Sequence, residues 1–405
     1  MKDINNDKMA IAKLLEIMQE GYTKRAVEDI DEYTEKLFVK SDEMIILGTS
    51  CGEWCLGYED SKMLIENDWK YWGNVIIDRE NLELTTKGDI AWFSTLGSVE
   101  KDFSLSDKTY DNFVNYAKEY LYEERCWLGE ISDETRLTTI AWELTHLLTG
   151  QGKKYRWEIR LSGLAIKEED GWKFTQLQFS FPTTLRYPDE RIWDDNFYDR
   201  SHQHGFGKLR EYNSTKDVEQ SGEVRGVLNN FSNEFLSKEL TSEQLVDKYF
   251  SKEQDIRVLG TDTDKYNGHD QVIQSVQNYK TQWDELKIGV EEAIVSVCGD
   301  TAWVITQGEA NVTITRKDAI RMEIEKSKEI LESDLLPSKE KLLRINRNVI
   351  TMLNEASKGE NNIWSIRFDA VLLKENNTWV IHTMQFSYPA NIILEGKTDA
   401  ATLIG

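Results

Sequence analysis

The pentapeptide Gly88-Asp-Ile-Ala-Trp92 returns as Gly299-Asp-Thr-Ala-Trp303, roughly 210 positions further along the chain. A second run, Gln178-Phe-Ser-Phe-Pro182, returns as Gln385-Phe-Ser-Tyr-Pro389 at nearly the same spacing. A third pair keeps the same order: Leu47-Gly-Thr49 and Leu259-Gly-Thr261. Three ordered matches at a nearly constant offset predict two copies of one domain, fused in tandem.

The length of 405 residues agrees with this prediction, since it favours two or three domains. A polar and charged stretch without a clear period separates the two copies and is interpreted as a linker. The predicted units are a first domain over 1–193, a linker over 194–220, a second domain over 221–395 and a tail over 396–405.

Both copies open with the same pattern of elements. An apolar stripe at helical spacing predicts a helix over about 8–40 in the first copy, and a similar stripe begins near residue 221 in the second. A short strand, a Gly-Thr turn and another helix follow. The predicted strands are 44–47 and 256–259, and the predicted helices are 59–72 and 270–283.

Each copy then contains a helical insertion before its last two strands. The insertions are predicted over about 108–150, with helices 109–122 and 133–148, and over about 316–358, with helices 316–333 and 338–358. The closing hairpins pair 155–167 with 172–181 and 363–374 with 379–388. Aromatic residues on both faces of the last strand indicate a sheet covered on both sides, by a core or cavity and by a domain interface.

The charge balance excludes one class of partner. With a net charge of −23 and no basic patch, the chain lacks the cations that binding to nucleic acid requires. No run approaches the 18 apolar residues of a membrane span, and the polar N-terminus has no signal-peptide core. We therefore expect a cytoplasmic protein with no nucleic-acid or membrane partner.

No metal or cofactor is expected. The four cysteines (51, 55, 126 and 298) do not repeat between copies, and Cys51 and Cys55 lack a second ligand pair. Reduced cysteines are therefore the simplest interpretation. His202 and His204 have no third ligand nearby in the sequence. We recognise no Ser-His-Asp arrangement, phosphate-binding glycine loop or HExxH motif.

Several runs resemble SnoaL-like domains of the nuclear-transport-factor-2-like superfamily. In the first copy these are Gly48-Thr-Ser-Cys-Gly-Glu53-Trp54-Cys-Leu-Gly57, Asp68-Trp-Lys-Tyr-Trp-Gly73, the Gly88 repeat and the Gln178 repeat. The second copy keeps Gly260-Thr-Asp262, Gly268 and both repeats. Most of both copies is covered, apart from the insertions and the linker.

The resemblance implies an α+β fold of two cone-like domains, each a curved, mostly antiparallel sheet wrapped on helices and enclosing a pocket. Because relatives often pair through their sheets, it also implies that the two copies form a pseudo-dimer within one chain. Many relatives carry a histidine where this chain has Gln178 and Gln385, so a group that titrates near neutral pH is lost.

The resemblance also implies candidates for catalysis. Cyclases, dehydratases and isomerases of the superfamily use a pocket carboxylate for proton transfer, for which Glu53, Asp262 and His269 are the candidates here. The competing interpretation is structural, because polar residues in a Gly-Thr turn commonly bond the turn backbone. The structural interpretation is the stronger one for all three.

We expect a non-catalytic small-molecule-binding or regulatory/interaction protein whose cone pockets take an apolar or mixed ligand. The candidate ligand-binding residues are Trp54, Tyr58, Arg160, Gln178, Tyr266, Arg367 and Gln385. The recurrence of the arginine and the glutamine in both copies also fits a shared structural task, such as bonding across the hairpin. An enzyme acting through Glu53 or Asp262, and a scaffold with filled pockets, remain the alternatives.

Overall fold

A computed structural model describes residues 2–50, 52–103, parts of 111–122, 132–150, 153–182, 197–213, 221–262 and 264–389. Within these ranges the chain folds into two α+β domains, each built on one seven-stranded sheet. Most strand pairs are antiparallel, and each sheet contains one parallel pair. None of the helices in these ranges is long and apolar enough to cross a membrane.

The first domain alternates helices with strands and ends in a long hairpin. Its helices are α1 (Lys2–Lys24), a 3-10 turn (Val27–Asp29), α2 (Ile30–Leu37), α3 (Tyr58–Tyr71) and α4 (Asp133–Gly150). Its strands are β1 (Ile45–Leu47), β2 (Trp54–Leu56), β3 (Asn74–Ile77), β4 (Glu83–Lys87), β5 (Ile90–Phe103), β6 (Lys153–Glu168) and β7 (Gly171–Ser180).

A further helix, α5 (Phe197–Asn213), precedes the second domain. The helices of that domain are α6 (Gly222–Glu234), α7 (Ser242–Tyr249), α8 (His269–Gln282), α9 (Arg316–Glu332) and α10 (Ser338–Ser357). Its strands are β8 (Arg257–Leu259), β9 (Lys265–Asn267), β10 (Glu285–Ile288), β11 (Ile294–Cys298), β12 (Thr301–Thr313), β13 (Asn361–Glu375) and β14 (Thr378–Ser387).

The two sheets have the same topology. The first runs β2-β1-β7-β6-β5-β3 with β4 also on β5, and the second runs β9-β8-β14-β13-β12-β10 with β11 also on β12. Both closing hairpins carry a register shift at the same place, after Leu164 and after Val371. Such bulges bend a strand and increase its twist, which suits a sheet that wraps around helices.

The inner face of each sheet packs on the helices through an apolar core. In the second domain, buried rings from the helices meet a ring from β14, with Trp283 5.2 Å and Phe235 5.9 Å from Phe386 between centroids. In the first domain Trp72 lies 6.4 Å from Phe179 in the same manner. The Trp283 and Trp72 pairs are edge-to-face and the Phe235 pair is tilted, and aromatic pairs at these distances add to the stabilisation from apolar burial.

The outer faces of the two sheets lie against each other. One apolar cluster joins Trp92 and Leu164 of the first domain to Val371 and Leu373 of the second. Hydrogen bonds also cross between the sheets, including one of 2.6 Å from Gln178 Nε2 to Ser387 Oγ. Each sheet is therefore covered on both faces, as the mixed pattern of the last strand predicted.

Helix α5 lies within the predicted linker and is packed between the domains. Its Leu209 is fully buried in a second apolar cluster, together with Trp54 of the first domain and Ile305 of the second. Phe206 of the same helix packs against this cluster. This helix was not predicted, because only part of one of its faces is apolar.

The helical insertions of the two domains also pack on each other, through α4 and α10. Thr138 Oγ1 donates to Asn354 Oδ1 at 3.0 Å, and Asn346 Nδ2 donates to Thr145 Oγ1 at 2.9 Å. Trp142 of α4 is almost completely buried in the chain. The predicted helix over 109–122 lies largely outside the described residues.

The element boundaries differ from the prediction at a few positions. The helix expected over 8–40 is interrupted at Arg25, whose φ of 52° is left-handed, and its guanidinium donates to the carbonyls of Tyr22 and Trp69. The three-residue strands β2 and β9 and the helix α7 were not predicted. The other predicted helices and the hairpins agree with the structure within a few residues.

Gly205 and Gly207 of α5 provide a matched test of this packing. A Cβ at Gly205 would lie 1.7 Å from Gln307 Oε1, whereas one at Gly207 would meet no atom within 4 Å. We expect Gly205→Ala to lower the free energy of unfolding by ~1–3 kcal/mol through overpacking. Gly207→Ala should raise it by up to ~1 kcal/mol, because alanine favours a helix. Thermal melts showing equal stability of the two variants would contradict the packing of α5.

Candidate functional site

A cleft of about 550 Å³ opens at the end of the second sheet where β8 and β14 finish. Its lining combines aromatic, apolar and charged side chains: Asp262, Trp283, Arg321, Met322, Trp364 and Tyr388. This volume lies within the range of pockets that hold small organic molecules. Of the ten residues predicted for catalysis or ligand binding, only Asp262 lines this cleft.

The walls of the cleft are held by local interactions. Trp364 and Tyr388 pack edge-on with 5.5 Å between ring centroids and form an aromatic wall. Thr315 caps α9 by accepting the Asp318 N–H at 3.1 Å, and Asp318, which also lines the cleft, pairs with Arg321 at 2.8 Å. The cleft therefore has an aromatic side and a charged rim.

The turn after β8 supplies the third wall. Its Thr261 N–H donates to Tyr279 Oη at 3.2 Å, and Asp262 Oδ1 accepts the Asp264 N–H at 2.9 Å. In the first domain Glu53 Oε2 accepts the Ser50 N–H at 2.8 Å in the equivalent turn. Both predicted catalytic carboxylates therefore stabilise their own turns, and their role in catalysis stays a prediction.

The recurring arginines lie at the domain interface rather than in the cleft. Arg160 of β6 is 1% exposed and donates to the carbonyls of Gly260 and Asp262 in the other domain. Arg367 of β13 is 2% exposed and donates to the carbonyls of Gly48, Ser50 and Glu53. Each arginine therefore binds the Gly-Thr turn of the opposite domain.

The two recurring glutamines are fully buried on the same outer faces. Gln178 donates to Ser387, whereas neither the amide nitrogen nor the carbonyl oxygen of Gln385 has a hydrogen-bond partner within the described chain. Trp54 lies beside them at the interface, with the Arg367 guanidinium 5.1 Å from its ring centroid. The structure thus groups Trp54, both glutamines and both arginines between the domains.

The remaining predicted residues lie apart from one another. Tyr58 is buried in the first core, where its hydroxyl lies 2.8 Å from Thr34 Oγ1. Tyr266 of β9 donates to Asp264 at 3.0 Å, and burial raises the pKa of its hydroxyl. His269 is the first residue of α8. None of the three lines the cleft, so ligand binding by Tyr58 and Tyr266 also stays a prediction.

Among the described cysteines, Cys55 and Cys298 are free thiols. Burial raises the pKa of Cys55 to about 12, so its sulfur stays protonated at neutral pH. A protonated thiol is a poor nucleophile and a poor metal ligand. The Cys55 thiol is therefore unreactive at neutral pH, and the interpretation of all four cysteines as reduced stays a prediction.

Asp369 provides a buried carboxyl group at the interface that was not predicted from the sequence. Asp369 lies on β13 directly opposite Gln385 of β14, and its Oδ2 has no hydrogen-bond partner within the described chain. Burial raises the pKa of Asp369 to about 7, and the nearby Arg160 charge opposes that rise. The one signal available in the sequence was an acidic residue directly before the apolar run 370–373 of the same strand.

A second missed group surrounds His382, which is completely buried. Trp92 Nε1 of the first domain donates to His382 Nδ1 at 3.3 Å, so Nε2 carries the proton and faces Asp255 Oδ1 at 3.1 Å. This bond lowers the pKa of Asp255. Glu253, Asp255 and His382 bring three possible metal ligands within 4.8 Å of one another, but both ring nitrogens already have protein partners.

Residues 237–323 match a family model that describes the SnoaL-like domain. No curated protein matches the chain. Similar solved structures include a nuclear transport factor 2-like superfamily protein of Salmonella enterica serovar Typhimurium. It is 11% identical, with a TM-score of 0.30, over 45% of this chain and 95% of that chain.

An uncharacterised cystatin-like protein of Caulobacter vibrioides is 13% identical, with a TM-score of 0.27, over 44% of this chain and 92% of its own. A nuclear transport factor 2-like protein of Novosphingobium aromaticivorans is 13% identical, with a TM-score of 0.26, over 49% and 94%. At these identities and TM-scores the likeness gives no information on activity.

The raised pKa of Asp369 predicts a pH dependence of stability. Between pH 4 and 7 the folded protein keeps a proton that the unfolded chain has lost, so stability falls as pH rises through this window. Asp369→Asn should remove this loss and raise the free energy of unfolding at pH 8 by up to ~4 kcal/mol relative to the parent.

The measurement is chemical denaturation at pH 5 and pH 8, with Asp334→Asn as the control because Asp334 is exposed. The control should leave the pH dependence unchanged. An equal difference between pH 5 and pH 8 in the parent and in Asp369→Asn would show that this carboxyl is ionised in the folded protein.

Proposed function

We propose that the protein binds a small molecule without transforming it, a proposal supported by the match of residues 237–323 to the model of the SnoaL-like domain. The observation that carries this proposal is the 550 Å³ cleft with its aromatic wall and charged rim. Indole and phenol rings offer flat apolar contact, and the rim offers polar contacts that orient a ligand. The favoured ligand is therefore a planar apolar molecule with at least one polar group.

The two domains are proposed to act as a pseudo-dimer within one chain. The support is the pair of reciprocal arginine contacts and the apolar clusters between the outer sheet faces. In this arrangement the first domain supports the domain that carries the cleft.

A second candidate is an enzyme of the cyclase, isomerase or dehydratase kind acting through Asp262, because that carboxylate lines the cleft. A general base has to be within hydrogen-bond reach of the proton it removes. Against this role, Asp262 Oδ1 already accepts a backbone N–H of its own turn, and the Asp262 carbonyl is held by Arg160. The binding function therefore has the better support.

The experiment that separates these functions is native mass spectrometry of the gently purified protein. A retained molecule of defined mass would support a binding cleft and identify the ligand class. Adding that molecule back and following its mass over time then distinguishes the two candidates. A change in mass that disappears in Asp262→Asn would establish the enzyme instead of the binding protein.

Two tryptophan substitutions on α9 locate the binding site. Met322 lines the cleft, whereas Ile324 is 51% exposed on the same helix and does not line it. With Nile red as a neutral planar probe, Met322→Trp should fill the cleft and weaken binding by at least about tenfold, or ~1.4 kcal/mol.

Ile324→Trp is the matched control and should bind Nile red as the parent does. Fluorescence titrations of the three proteins at equal concentration give the dissociation constants. Equal affinity in both variants would place the probe outside the cleft and contradict the assignment.

A further inference from the structure

Arg160 crosses from the first domain into the second. It begins on β6, and its two terminal nitrogens donate to the carbonyls of Gly260 and Asp262. These carbonyls flank Thr261, and both Thr261 and Asp262 line the cleft. One wall of the cleft is therefore bound from behind by a side chain of the other domain.

The contact between Arg160 and the two carbonyls is buried, so losing its hydrogen bonds would be costly. Arg160 is 1% exposed, and desolvation lowers the pKa of its guanidinium. A buried carbonyl that loses its donor keeps a desolvation penalty, so removal of the arginine leaves two carbonyls without a strong donor. The turn would then have to move toward water or toward new partners.

Three other hydrogen bonds hold the described residues of this turn: Thr261 N–H donates to Tyr279 Oη, Gly260 N–H donates to the Asp264 carbonyl at 3.1 Å, and Asp264 N–H donates to Asp262 Oδ1 at 2.9 Å. All three lie within the second domain and use backbone amides of the turn as donors. The carbonyl side is fixed by Arg160, whose planar fork of donors matches two carbonyls at once.

Arg367 forms the reciprocal contact and provides an internal control. It binds the Gly48, Ser50 and Glu53 carbonyls of the first domain, and none of these residues lines the cleft. Both arginines are almost completely buried at the same interface. Loss of either one should therefore weaken domain docking, but only Arg160 reaches a wall of the cleft.

We propose that Arg160 is a positioning residue for the cleft, through which docking of the first domain sets the ligand affinity of the second. This inference rests on the proposed binding function. The turn that carries Thr261 and Asp262 then stays fixed as long as the Arg160 contact persists, even in a chain whose docking is weakened elsewhere but not lost.

The test compares Arg160→Gln with Arg367→Gln in the full chain. Both variants exchange a buried arginine for a shorter neutral amide, and both should lower the thermal midpoint by a similar amount. Arg160→Gln should weaken Nile red binding by about tenfold or more, whereas Arg367→Gln should change it less than about twofold. Equal weakening by both variants would overturn the proposal in favour of general loosening of the interface.

Hydrogen exchange on the same proteins gives a readout without any ligand. Arg160→Gln should speed exchange of the amides over 260–266 while leaving 48–54 slow, and Arg367→Gln should do the reverse. If Nile red fails to bind the parent protein, the proposed function fails, but exchange still tests whether Arg160 fixes the turn. Unchanged exchange over 260–266 in Arg160→Gln would overturn the inference.

Arg160→Lys covers the case in which the glutamine variant does not fold. Lysine keeps the buried charge but cannot donate to two carbonyls from a rigid fork. It should therefore show the same selective effects on probe binding and on exchange over 260–266. A lysine variant that matches the parent in both measurements would show that charge, rather than the paired hydrogen bonds, is what the interface needs.

Discussion

The docked arrangement of the two domains depends on hydrogen bonds to backbone carbonyls. Docking itself buries these carbonyls and removes them from water. Each Gly-Thr turn presents carbonyls to the interface, where the sheet of the other domain excludes solvent. Buried carbonyls without donors are costly, and donors within the turn meet only part of this need: in the first domain the Ser50 carbonyl accepts the Glu53 N–H at 3.2 Å, and the Glu53 carbonyl accepts the Gly48 N–H at 3.1 Å. Arg160 and Arg367 add donors from the opposite domain, so both turns lose hydrogen bonds if the domains separate.

The rest of the interface surrounds these arginine–carbonyl contacts. Apolar clusters around Trp92 and around Trp54 flank the polar centre and exclude water from it. The same exclusion strengthens the arginine contacts and leaves Asp369 in an environment that favours its protonated form. Helix α5 also covers the interface. Its Leu209 belongs to one apolar cluster, and its Gly205, which has no side chain, lets the helix lie close to Gln307.

The parts of the fold that the sequence predicts are those with long periodic patterns. The closing hairpins and the helices α8 to α10 have enough turns or alternations to be recognised. Strands β2 and β9 have three residues each and show no period. Helix α7 had one local signal, the capping box of Thr241 and Gln244, which the apolar pattern did not single out.

The site was harder to predict for a physical reason. The cleft is assembled from segments that are far apart in the chain, such as Asp262, Met322 and Tyr388, and no local motif connects them. Recurrence of the arginine indicated a shared structural task, yet the partner it bonds is backbone in the other domain. Every residue has a backbone carbonyl, so a sequence does not show which carbonyls accept a bond from a distant arginine. The turns could therefore be predicted, but not the side chains that donate to them.

The presence of both domains in one chain has a consequence at Asp369. The matching position in the first domain is Ser162, which faces Gln178 as Asp369 faces Gln385. In an assembly of two identical subunits, symmetry would duplicate every residue, and two acidic groups would be trapped in the same dry space. Because both domains belong to one polypeptide, they need not be identical at the interface. One domain can bury an acidic residue where the other has a neutral residue, so the two sides of the interface can differ in sequence.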